Sequence, residues 1–231
     1  MKSFGNHAGI MGWIAAPVVA VLYIAARALA CFAFSAIDFD QGYSDILSSF
    51  VLVVPTFIIW CLFGRKKDLG RRERDCAAAY AVAILAAFFL ACLSKGFAAF
   101  LKINTAYSPS FLRLCSYCLS GPLTEEIIYR GLALNWCRTK AEKILSAVVS
   151  TLLFASVHAG MRSAFIALIG GVLFTLLYLR WNMLRFSVIA HCITNCLVLL
   201  PGVDPKLSAT IGICGVLCLS SLLLWRISVE K

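Results

Sequence analysis

Apolar residues run along this chain in long blocks, not in the strict alternation of strands or the one-sided stripe of a surface helix. A helix needs about 20 residues to cross the hydrocarbon core of a bilayer. By that measure the blocks predict eight helical spans, at about 11–36, 46–63, 76–101, 111–136, 144–160, 163–180, 184–200 and 207–226. The first is too long for the apolar region of a secretion signal and precedes no clear small-residue cleavage site, so it reads as a retained span. The fourth is the weakest on hydropathy alone, because Arg113, Glu125, Glu126 and Arg130 interrupt it. No internal repeat, low-complexity tract or Pro/Gly/Ser-rich linker divides the chain. Residues 1–231 therefore read as a single integral membrane domain of all-α class, a polytopic helix bundle.

Composition agrees. Hydrophobic residues make up 61% of the 231 and charged residues 14%, with mean hydropathy +0.90. A soluble domain sits near 45–50% apolar and about 25% charged. The net charge of +10 would in a soluble protein raise nucleic acid as a partner, but here the basic residues sort by loop. Gly64 to Asp75 carries Arg65, Lys66, Lys67, Arg71, Arg72 and Arg74. If that loop is cytoplasmic, alternation places 14 Lys and Arg inside, against Lys102, Arg162 and Lys206 outside. The first outer loop carries Asp38, Asp40 and Asp45 and no basic residue. This asymmetry predicts both termini in the cytoplasm, with the lipid bilayer as partner and no nucleic acid. The eleven cysteines are scattered through apolar segments and odd in number, which describes small hydrophobes rather than a disulfide framework. Cys115 and Cys118 form a C-x-x-C with no second pair.

A charge at span depth costs at least about 2.5–3.5 kcal/mol, so such residues pair, line water or act. Arg27, Lys95 and Arg113 have no acidic neighbour at helical spacing, and snorkelling or a structural hydrogen bond accounts for them. The run Thr124-Glu125-Glu126-Ile127-Ile128-Tyr129-Arg130 is different. Glu126 and Arg130, four apart, share a helix face and suit an ion pair. Glu125 lies roughly 140° around the helix from Arg130 and is left available as a general base. Pro122 marks a helix start or kink that would open space there. Phe154 and His158 are four apart on the fifth span, and His191 and Asn195 four apart on the seventh. A lone membrane His is often tied to a backbone carbonyl, and Asn is commonly helix–helix glue. Both on one stripe, in a chain with three histidines, favour chemistry.

Together these motifs resemble the CPBP family, the CAAX-prenyl-protease and bacteriocin-processing group also called Abi proteases. Its pattern is E-E-x-x-x-R, F-x-x-x-H and H-x-x-x-N/D on successive transmembrane helices. This chain carries Glu125-Glu126-Ile127-Ile128-Tyr129-Arg130, Phe154-Ala155-Ser156-Val157-His158 and His191-Cys192-Ile193-Thr194-Asn195, in order, within residues 122–200. The resemblance implies an all-helical intramembrane endopeptidase that cuts peptide bonds with a glutamate-activated water. It implies Glu125 as general base, His158 as its partner in holding the water, and His191 and Asn195 as oxyanion donors. Glu126, Arg130 and Phe154 would support the site.

Its substrates would be membrane-anchored, prenylated or precursor peptides and proteins, and the compact chain suggests a prokaryotic cell membrane. No cofactor is expected. If the chemistry were metal-dependent, zinc would fall to Glu125, His158 and His191, although neither H-E-x-x-H nor its inversion is present. A transporter or a non-catalytic membrane protein is the alternative from another class. A transporter predicts an inverted repeat, and the sequence shows none.

Overall fold

The computed structural model describes residues 7–37, 41–63, 76–101, 110–134, 137, 139–158, 160–200 and 204–229. The basic loop 64–75, Lys2, Asp38, Asp40, Lys102, Arg138 and Lys231, on which much of the charge asymmetry rests, lie outside them.

The described residues form helices and no strand. In chain order these are α1 (His7–Ser35), α2 (Gln41–Phe63), α3 (Cys76–Phe100), α4 (residues 111–132), α5 (Lys140–Ser156), α6 (Met161–Trp181), α7 (Leu184–Leu199) and α8 (Pro205–Val229). Each falls on a block expected from hydropathy. Among the described residues, four stretches are long and apolar enough to cross a bilayer unaided: Pro17–Ser35, Ala77–Phe100, Met161–Trp181 and Pro205–Val229. At about 1.5 Å per residue, a 21-residue helix matches a hydrocarbon core of about 30 Å. Ile46–Leu62 and Leu184–Leu199 are apolar but shorter. Large apolar side chains such as Leu29, Phe32, Leu62, Phe100 and Leu217 point outward, as lipid-facing positions of a membrane bundle must.

Two packed cores organise the helices. The first joins α3, α6, α7 and α8 through Ala83, Ala86, Leu90, Leu173, Leu177, Phe186, Val216 and Leu219. Its tightest seam lies between α3 and α8, where small residues bring the backbones together. A Cβ on Gly96 would stand 2.6 Å from the Cα of Ala209, and one on Gly212 would run into the Leu93 backbone. Lipid tails are as apolar as leucine, so close backbone approach is a main source of helix adhesion in a membrane. The second core joins α1, α4, α5 and α6 through Ala20, Tyr23, Ile127, Tyr129, Phe154 and Ala167.

The fourth element departs from its expected form. Pro122, expected at a helix start or kink, stands in the first turn of the α-helical stretch Gly121–Glu126, which follows Phe111–Cys115 and a π-helical turn Ser116–Ser120 and leads into a second π turn Ile127–Leu132. A proline inside a helix offers no N–H and crowds the carbonyl four residues earlier. Widening the preceding turn, where the Gly121 N–H reaches back to the Ser116 carbonyl, accommodates the ring without ending the helix.

Candidate active site

The second π turn carries Arg130, and the α-helical stretch before it ends on Glu125 and Glu126. Arg130 is fully buried, and each part of its guanidinium has a partner. Nη1 donates to Glu126 Oε1 at 2.9 Å, Nη2 to the Gly171 carbonyl at 3.1 Å, and Nε to Thr175 Oγ1 at 3.4 Å. The Phe154 ring lies beneath it, 4.6 Å from the guanidinium carbon. The Gly171 carbonyl comes this close because Gly171 has no side chain: a Cβ there would meet Arg130 Nη2 at 3.3 Å and Thr151 Cγ2 at 3.0 Å. Ser150 on α5 donates to the Tyr129 carbonyl at 2.6 Å, satisfying an acceptor in the widened turn.

Glu126 therefore belongs to Arg130, and it also fixes His191. His191 Nδ1 lies 3.0 Å from Glu126 Oε1. With the carboxylate held by a guanidinium, Nδ1 is the donor, and Nε2 is turned toward Glu125. The separation from Nε2 to Glu125 Oε2 is 3.9 Å, too long for a direct hydrogen bond. The His191 ring stacks on Phe174 at 4.7 Å and 22° and meets the Phe154 edge at 5.7 Å and 87°. Two aromatic walls and one carboxylate thus set its orientation.

His158 reaches the cluster through the same phenylalanine. The fifth span was expected to run to residue 160, but α5 ends at Ser156, so His158 sits on the turn beyond it. Gly160, with φ of +82°, redirects the chain there. His158 Nδ1 bonds back to the Phe154 carbonyl at 2.7 Å, and the two rings meet edge to face at 4.7 Å. Phe154, 1% exposed, touches Tyr129, Arg130, His158 and His191. Asn195, one turn beyond His191 on α7, donates Nδ2 to the Tyr117 carbonyl of α4 at 2.8 Å. Among the described residues no partner meets its amide carbonyl or second N–H, which leaves both for another group.

Glu125 is 8% exposed, and its partners are not Arg130. Arg27 on α1, which the sequence left without an acidic neighbour, places Nη1 3.6 Å from Glu125 Oε1. That reading is corrected: the neighbour lies on another helix, where spacing along the chain cannot reveal it. Beside Glu125, the Tyr129 hydroxyl is buried without a hydrogen-bond partner among the described residues. Gly171, Thr175, Ser150 and Phe174 were likewise missed. Their signal, small and hydroxyl residues at mid-span, is also that of ordinary helix packing.

The donor set named for zinc is not gathered. Among the described residues, no three His, Cys, Asp or Glu side chains are grouped to hold a metal ion. His158 Nδ1 meets a backbone carbonyl and His191 Nδ1 meets Glu126, which leaves Nε2 of each ring; no step below is routed through a metal.

Comparison with known proteins agrees with the motifs. Residues 107–197 match the family model described as type II CAAX prenyl endopeptidase Rce1-like, a segment that holds all three motifs. The chain is also similar to the "Putative membrane peptidase YdiL" of Bacillus subtilis (strain 168), 22% identical over 180 residues, covering 71% of this chain and 73% of that protein. No solved structure gives a significant match.

Proposed function

We propose that this chain is an integral membrane peptidase that cleaves membrane-associated peptides with a water activated by Glu125, a reading supported by the match of residues 107–197 to the Rce1-like endopeptidase family model. The observation that carries this reading is the division of labour between adjacent glutamates. Arg130 ties Glu126 down at 2.9 Å, whereas Glu125 presents Oε2 toward His191 Nε2 at 3.9 Å. That gap leaves both atoms unbonded to each other and open to one third group. A water there would give its proton to Glu125 and its oxygen to the scissile carbonyl, the step expected of a general base. His158 shares in holding the water. Asn195, four residues from His191 on the same helix, offers a donor to the developing oxyanion, and His191 joins it from Nε2 as the imidazolium, since its Nδ1–H is given to Glu126. Glu126 and Phe154 keep His191 from turning away.

The substrates we propose are peptides held at the bilayer by a prenyl group or another membrane anchor, since a peptide bond must be presented at the depth of Glu125. The topology proposed from the loop charges keeps both termini in the cytoplasm of a prokaryotic cell.

The test uses purified enzyme in micelles with internally quenched peptides, one with a farnesylated cysteine and one with the cysteine free. Glu125→Gln and His191→Ala should abolish cleavage. Asn195→Ala should cost about 10²–10³ in kcat, the usual loss of an oxyanion donor. Treatment with a zinc chelator followed by desalting should leave kcat unchanged. A folded, fully active Glu125→Gln enzyme would overturn the assignment, and chelator inactivation reversed by zinc would overturn the metal-free step. Preference for the farnesylated probe would fix the anchor class.

A further inference from the structure

The cation paired with Glu125 Oε1 comes from α1, outside the segment that matches the peptidase family model. Ala20, Tyr23 and Arg27 are spaced three and four residues apart, so they share one face of α1. That face is turned inward: Ala20 and Tyr23 are 1% and 6% exposed, while Val21, Leu22, Leu29 and Phe32 point out. The Tyr23 ring meets Tyr129 of α4 edge to face at 6.3 Å. Arg27 follows Tyr23 one turn further along that face. On this inward face Arg27 reaches α4, where Nη1 stands 3.6 Å from Glu125 Oε1.

The two carboxylate oxygens of Glu125 are thus divided. Oε1 faces the guanidinium, and Oε2 faces His191 Nε2. An ion pair at one oxygen, 3.6 Å here, biases the orientation of the carboxylate. With neither engaged, the group rotates about its terminal bond, which has broad torsional wells.

We infer that Arg27 is a positioning residue for Glu125: by holding Oε1 from α1, it fixes Oε2 on the side where His191 and the substrate meet. This rests on the reading of Glu125 as general base. The N-terminal helix is then part of the catalytic apparatus and not only a membrane anchor.

The experiment compares native enzyme, Arg27→Gln, Arg27→Lys and Glu125→Gln as full-length proteins in micelles. The probe is whichever quenched peptide the native enzyme cuts faster. A misoriented catalytic group commonly costs about 10²-fold, so Arg27→Gln should lower kcat by about 10–100-fold with KM unchanged. Arg27→Lys should restore most of that loss, because a cation reaches Oε1 again. Thermal unfolding of each variant separates loss of fold from loss of orientation. Native kcat in Arg27→Gln, an effect on KM alone, or an Arg27→Lys enzyme as poor as the glutamine variant would overturn the inference. If Arg27→Gln does not fold, Arg27→Lys decides alone: kcat near native supports it, and inactivity like that of Glu125→Gln sinks it. An active Glu125→Gln enzyme instead removes the general-base reading, whatever Arg27 does.

Discussion

At the scale of single residues, the site depends on Arg130, which no solvent reaches. Burying a guanidinium and a carboxylate together recovers the desolvation cost only when geometry and further hydrogen bonds are good. Here three acceptors from three places in the chain, Glu126, Gly171 and Thr175, meet the guanidinium, and Phe154 covers one face. Lysine carries the same charge on a single nitrogen and lacks the planar fork, so it cannot satisfy Glu126, the Gly171 carbonyl and Thr175 from one position. Arg130→Lys should therefore lower unfolding stability in micelles by about 1–3 kcal/mol, the cost of buried polar groups left unpaired. It should also reduce kcat, because Glu126 then holds His191 less firmly. A lysine variant with native melting and native kcat would show that charge alone suffices.

At the scale of the element, α4 is where chain spacing and structure part company. The positions of the helices were legible because a membrane span needs a long apolar block, and blocks of that kind dominate the chain. The Glu126–Arg130 pair was legible for a similar reason: four residues is one helical turn, and the 2.9 Å contact survives even inside a π turn. What stayed hidden depends on contacts between helices. Pro122 announced a helix start or kink but not the widened turns on either side of it. His158 was counted within a helix because Ala159-Gly160 gave too weak a stop signal for a positive φ at Gly160 to be foreseen. The widened turn needs outside help, which Ser150 supplies at the Tyr129 carbonyl. Ser150→Ala removes that bond to a buried acceptor, at a cost of about 1–3 kcal/mol. Amide hydrogen exchange across 127–133 should then accelerate more than exchange in α3 or α8. Uniform exchange across the protein would mean that the turn stands without Ser150.

At the scale of the whole molecule, the two cores divide the work, and α7 joins them. Its Phe186 and Ala190 pack into the core with α3, α6 and α8, and the next residue, His191, reaches across to Glu126 of the second core. α6 does the same, with Phe174 in the first core and Ala167 in the second. The site therefore forms at the boundary between two units, one of which offers a flat, glycine-lined seam for its outer helix. α8 supplies none of the candidate catalytic groups and packs on α3 where Gly212 meets the Leu93 backbone. Leucine at Gly212 has no room without moving a helix, since its first carbon already collides with main chain and not with a side chain that could swing aside. Overpacking of this kind typically costs about 1–3 kcal/mol. Gly212→Leu should accordingly lower the melting temperature, while kcat per folded molecule on the quenched peptide stays at the native value. The opposite result, native melting with kcat lost, would mean that the position of α8 is transmitted through α3 and α7 to His191. The boundary between the cores would then be mechanically coupled to the outer seam, and the division of labour argued from the packing would fail.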